Sequence, residues 1–284
     1  MPKIVRGSIV AVLVAMLLGL TSSAIPAYAL TLPFTDHFSN VSAWGTVPYT
    51  IGGVTAPAPS VDTSQNAPGS TGGALRFTFP AGWPPGYEPG KAWGGFPETD
   101  ELWTEYWFKY SDGFEFHQVG TKQVYWVLSG GGNRDGDFML IVSGSTATTK
   151  KLRMTTQPKG GTFTNYDPNL GYNPTIETGV WYKMTIHIKL NTTTSPFNGI
   201  FRVWLNDTPL MDYKNVNYRT NTYINSKLVT LELVPVWGGA GGPNKTKTDY
   251  FWLDALRIQA APIIGGGGTT PSLVPMAPSN IVIN

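Results

Sequence analysis

The chain reads as all-β, a two-sheet antiparallel sandwich of jelly-roll type. Three observations predict it. Charged residues make up only 13% of the 284, while the chain carries 33 Gly, 23 Pro, 10 Trp, 13 Tyr and 13 Phe. That composition favours strands and turns over helices. About ten segments alternate apolar and polar residues with turn residues between them. The clearest is the meander from Gly179 to Tyr213, in which Tyr182, Met184, Ile186, Ile188 and Leu190 face one way and Lys183, Thr185, His187 and Lys189 the other.

Taken in order, residues 1–29 have the pattern of a secretory signal peptide. Lys3 and Arg6 precede an apolar run from Ile9 to Leu20, and Ala27-Tyr28-Ala29 supplies a small-x-small cleavage site. The run is too short and wrongly flanked for a membrane span. The expected mature protein is therefore extracellular, with no membrane association after cleavage. A sandwich domain over residues 30–261 follows, then a Gly/Thr/Pro linker and tail over 262–284. There are no cysteines, which excludes thiol catalysis and disulfide staples and leaves stability to a large core. A net charge of +2 gives no field for nucleic acid.

Leu32–Phe38 is an expected opening strand and Tyr49–Ile51 an edge strand within a Pro/Gly/Ser-rich region. Ala74–Phe79 alternates as a strand, and Pro80–Pro97 reads as a Gly/Pro/aromatic loop. In Glu101–Tyr110 both faces carry aromatics, so each face should be covered, by a second sheet or by a ligand. Lys122–Leu128, Asp137–Val142, Leu152–Thr156, Leu228–Val236 and Tyr250–Ile258 complete the set. Closure should pair the opening strand near Phe38 with the closing strand near Leu253.

The runs ELWTEYWFKYSDGFEFHQVGTKQVYWVL, GVWYKMTIHIKLNT…NGIFRVWLND…LMDY and DYFWLDALRI resemble the concanavalin A-like jelly rolls, and among them the polysaccharide lyases acting on alginate or glucuronan. The resemblance spans Phe34 to Ile258. It implies that Lys122, in Gly120-Thr121-Lys122, matches the lysine of the family's Gly-Gly-Lys-like segment. Where the family's next strand bears serine and arginine, this chain has Asp137-Phe138-Met139-Leu140. The implied activity is cleavage of an anionic (uronate) polysaccharide by β-elimination. The alternative is a non-catalytic carbohydrate-binding or extracellular matrix module.

β-Elimination needs a cation or amide to neutralise the uronate carboxylate, a base to take the proton beside it, and an acid to protonate the leaving oxygen. Lys122, His187 and Tyr218 are the expected catalytic groups, and Arg153, Lys183, Lys189, Arg202 and Trp204 the expected substrate contacts, provided their strands share one sheet. Glu232 stands alone in its strand, and Glu98-Thr99-Asp100-Glu101 has the wrong alternation for a paired-carboxylate glycosidase. Asp36 and Asp254 would share a structural calcium ion if the terminal strands pair; no other cofactor is expected. The expected partner is a polysaccharide and the expected state a monomer.

Overall fold

A computed structural model describes residues 28–130, 132–144, 150–239 and 241–263. In chain order the strands are β1 (Phe34–Asp36), β2 (Gly45–Val47), β3 (Tyr49–Ile51), β4 (Val54–Ala56), β5 (Ser60–Asp62), β6 (Ala74–Phe79), β7 (Lys91–Thr99), β8 (Glu101–Tyr110), β9 (Thr121–Gly130), β10 (Asn133–Ser143), β11 (Lys151–Pro158), β12 (Thr164–Tyr166), β13 (Tyr182–Lys189), β14 (Gly199–Leu205), β15 (Thr208–Val216), β16 (Lys227–Leu233) and β17 (Asp249–Gln259). A short 3-10 turn occupies Asn221–Tyr223. Among the described residues no helix is long and apolar enough to cross a membrane.

Two antiparallel sheets form the sandwich. The eight-stranded sheet runs β15-β14-β13-β8-β17-β6-β5, with β1 also on β17; the seven-stranded sheet runs β12-β11-β10-β9-β16-β7-β2. The predicted closure is present, with Phe34 opposite Ile258 and Asp36 opposite Leu256. β3 and β4 form a separate hairpin. Its turn is Gly52-Gly53, both at positive φ, as a two-residue hairpin connection requires.

The core lies where the inner faces meet. Leu102, Tyr106, Phe108 and Tyr110 of β8 pack opposite Val124, Trp126 and Leu128 of β9, all buried. Trp126 stacks on Phe138 with centroids 5.5 Å apart. In the core between the sheets, polar atoms of three buried aromatics are matched. Gln123 accepts from Tyr106 Oη and donates to Tyr110 Oη, both at 3.2 Å, and Trp126 Nε1 donates to Thr104 Oγ1 at 3.1 Å.

One strand overturns the loop expected over Pro80–Pro97: β7 enters the seven-stranded sheet between β16 and β2. Its glycines hid it from propensity. A Cβ on Gly94 would lie 2.6 Å from the Leu30 side chain, so the bare backbone is what lets Leu30 pack against the sheet. Leu30 N–H donates to Gly95 O, and Gly95 N–H donates to Tyr28 O. Residues 1–27 of the expected signal peptide lie outside the described residues, as does the expected tail from residue 264 onward.

Candidate active site

Direct cross-strand pairing fixes which side chains share the outer face of the seven-stranded sheet. Met139 of β10 faces Tyr125 of β9 and Thr155 of β11; Ile141 faces Lys122 and Arg153. Tyr125 also faces Glu232 of β16, which in turn faces Trp93 of β7. Between Tyr125 and Lys122 the register shifts: three positions of β9 oppose two of β10. This β-bulge turns Lys122 outward beside Tyr125 and leaves Gln123 in the core.

Lys122 lies over a small apolar bed of Tyr125, Met139, Ile141, Val234 and Val236. Its Nζ is 5.9 Å from the Tyr125 ring centroid, and among the described residues no carboxylate lies within ion-pair distance of it. Burial disfavours the ammonium and lowers its pKa from the usual lysine value, against the weaker pull of Asp137 and Glu88. Tyr125 moves the other way: burial, then the nearby Asp137 and Glu88 carboxylates, push its phenol up, so it stays protonated at neutral pH.

Beside them runs a charge network. Arg134 Nε donates to Asp137 Oδ2 at 3.0 Å, and its Nη1 meets Glu232 Oε2 at 3.2 Å; Lys91 Nζ meets Glu232 Oε1 at 2.6 Å. Arg134 remains 44% exposed, and its Nη2 donates to no group among the described residues. Asp137 is raised by burial despite Arg134, and its Oδ1 is buried without a partner among those residues. On the rim, Tyr49 is pushed up to about 12 by burial and then by Glu88. One face thus offers an amine shifted toward its basic form, a protonated phenol, and a guanidinium with a free edge.

The expected site residues do not converge. Lys122 and Arg153 share this face, but Arg153 is clamped by Asp167 at 2.6 and 3.0 Å. Lys183, His187, Lys189, Arg202 and Trp204 belong to β13 and β14 of the opposite sheet. There each cation is already paired: Lys183 with Asp207, Lys189 with Glu101, Arg202 with Asp212. His187 stacks 4.2 Å from Trp103, which stacks in turn on Trp204. Its Nε2 lies 2.8 Å from Glu101 Oε1. Burial lowers its pKa despite that carboxylate. This group is a partly buried stack on the sheet opposite Lys122, so His187 does not join Lys122 in one site.

Tyr218 does not reach this face either. It is buried in the core, and its hydroxyl donates to Ile200 O at 3.1 Å. The two carboxylates of the calcium expectation hold protein donors instead. Asp36 accepts from Phe38 N and Trp44 Nε1, both at 2.7 Å, and Asp254 accepts from Ala67 N, Ala255 N and Ser70 Oγ. Among the described residues no group of three or more His, Asp or Glu side chains gathers at a point where it could hold a metal ion. Sequence reasoning missed Tyr125, Arg134 and Asp137. The signal for Tyr125 was its spacing of three from Lys122, which shares a face only across a bulge.

No family model matches the chain, and no curated protein matches it. Solved structures do. The endo-β-1,4-glucuronan lyase from the fungus Trichoderma reesei superposes with a TM-score of 0.52 at 16% identity, over 72% of this chain and 87% of that one. The chain has the jelly-roll fold of these lyases. An alginate lyase, Aly36B, with a lysine and a tyrosine replaced by alanine and in complex with alginate tetrasaccharide, superposes with a TM-score of 0.51 at 16% identity, over 73% and 85%. The cellulose-induced protein Cip1 does so with a TM-score of 0.51 at 13% identity, over 82% and 100%. The similarity is one of fold, and the side chains on the jelly roll's outer face carry the question of activity.

Proposed function

We propose that this is a secreted polysaccharide-active protein that cleaves a uronate polymer by β-elimination on the outer face of the seven-stranded sheet. The observation that carries the reading is the pairing of Lys122, an unpaired amine with a lowered pKa, with the protonated phenol of Tyr125. Those are the two opposite proton-transfer roles the reaction requires.

Lys122 takes the proton from the carbon beside the uronate carboxylate. The electron pair left there forms the new carbon–carbon double bond and expels the glycosidic oxygen, which receives its proton from Tyr125. Arg134, held by Asp137 and Glu232, meets the substrate carboxylate through its free Nη2 and offsets the charge that develops on it. Incubation with alginate, glucuronan and other uronates should yield unsaturated ends absorbing in the ultraviolet; a folded protein giving no such product across the panel sinks the reading.

Tyr125→Phe keeps the ring that carries Lys122 but removes the acid. It is expected to lower turnover by roughly 10²-fold with little change in KM, read from the rate of ultraviolet absorbance. The pH profile has a stated sign. Lys122 works as the free amine, so the rate falls as pH drops and the amine protonates. Because burial lowers its pKa, the rise must come below about 10.4, the ordinary lysine value; a rate that increases only above that value contradicts a desolvated base.

A specific observation favours the second reading, a non-catalytic carbohydrate-binding module. Glu232 and Asp137 already neutralise Lys91 and much of Arg134, which leaves little net positive charge for a polyanion. Binding in a glycan pull-down without turnover would select that reading.

A further inference from the structure

The eight-stranded sheet also carries aromatics on its outer face, and one part of it is not a covered stack. At the end of β8 a pocket of about 360 Å³ opens beside Lys109, Asp112, Gly179, Lys247, Tyr250 and Trp252. It lies on the opposite sheet from Lys122.

Lys109 is its centre. The ammonium lies 5.3 Å from the ring of Trp181 and 5.1 Å from that of Trp252. Its hydrogen-bond partner is the amide oxygen of Gln65, and among the described residues no carboxylate is within ion-pair distance of it. Burial lowers its pKa against the pull of Asp112 and Asp62. Most other cations on this sheet's outer face have a carboxylate partner; Lys109 has aromatic rings and an amide instead.

The remaining charges sort cleanly. Asp249 is occupied, by Lys245 at 2.8 Å, Lys247 at 3.4 Å and Glu115 N–H at 2.9 Å. Lys247 also donates to Gly113 O at 2.6 Å. Asp112 is exposed and accepts no hydrogen bond from the described residues. Trp252 is anchored through Nε1 to Asp62 at 3.0 Å, whereas Trp181 is half-exposed. The Trp252 indole, beside one unpaired amine and one free carboxylate in the same pocket, with Trp181 packed against that amine at its edge, is a lining for a pyranose: the apolar ring face meets the indole while the polar edge exchanges hydrogen bonds with both charges.

We propose that this pocket is a second saccharide-binding site, holding one sugar unit of a polymer on the sheet opposite the Lys122 face, with Lys109 set to meet a hydroxyl or carboxylate of that unit. The proposal rests on the reading that the protein engages polysaccharide, not on the reaction at Lys122. A chain gripped on both sheets gains effective concentration at each.

The test uses the full chain, ¹⁵N-labelled, with alginate tetrasaccharide added while unsaturated ends are followed by absorbance in the same sample. The expected result is a saturable shift of the Trp181 and Trp252 indole N–H signals, weakened about tenfold in Kd by Trp181→Ala and by Lys109→Met. Lys109→Met keeps an apolar stem between the indoles, so it stands if Trp181→Ala fails to fold. Silent Trp181 and Trp252 signals, or less than a twofold loss in Lys109→Met, overturn the second site even where product forms. Shifts at these indoles without product on any uronate sink the lyase reading and leave the second site standing.

Discussion

Lys122→Ala is expected to lower the rate of unsaturated-end formation by roughly 10²–10⁴-fold, the range general-base removal spans. Thermal stability should hold, because Lys122 lies on an outer face and pairs with no carboxylate among the described residues. The rate measurement is paired with a melting curve, so that lost activity with an unchanged Tm separates chemistry from folding. Lys122→Arg should not rescue: a guanidinium stays charged at working pH and cannot take a proton. His187→Gln gives the contrast. That side chain belongs to the stack with Trp103 on the other sheet, so its loss should alter stability and leave the rate per folded molecule near wild type. A large fall in rate with His187→Gln and none with Lys122→Ala would place the chemistry on the eight-stranded sheet instead.

Lys245→Ala is expected to be the most destabilising single change of those considered, by about 3–5 kcal/mol, the usual cost of orphaning one member of a buried ion pair. Lys245 is fully buried and its partner Asp249 nearly so, 2.8 Å away. The ammonium also donates to Glu115 O at 3.0 Å and sits 4.3 Å from the Phe114 ring and 5.0 Å from that of Trp237. It therefore ties the loop before β17 to the segment after β8. Removing it leaves the Asp249 carboxylate buried, held chiefly by the Glu115 N–H and the distal Lys247. For a domain of this size the loss corresponds to a fall of roughly 10 °C in Tm. Converting both partners together, Lys245→Met with Asp249→Asn, should recover part of it, since no charge is then left alone. A Lys245→Ala variant melting within a degree or two of wild type would show the pair to be energetically idle.

The fold was legible because it is written in alternation. Gly179–Tyr213 shows its two faces residue by residue, and the core members Met184, Ile186 and Ile188 are all buried. Closure of the first strand on the last followed from the same pattern. β7 was not legible, because Gly94, Gly95 and Pro97 argue against a strand, and the fitness of Gly94 depends on a neighbour, Leu30, distant in sequence.

The site was half legible. Lys122 was recognisable from its local segment, and the proposed base rests on it. The residues around it were not, and the reason is geometric. Strict alternation from Lys122 groups it with Val124, Trp126 and Leu128, which are core residues; the bulge in β9 breaks that period and brings Tyr125 to its side instead. The sequence by itself determined which residues alternate, and so the two sheets and their shared core, since the period of two is a local property of the strand. Which strands are neighbours is a long-range property, set by how the two sheets assemble. That assignment put the basic face of Lys183, His187 and Arg202 on the sheet opposite Lys122, set those side chains beside carboxylates, and left Lys122 on one face and Lys109 on the other without a carboxylate partner among the described residues.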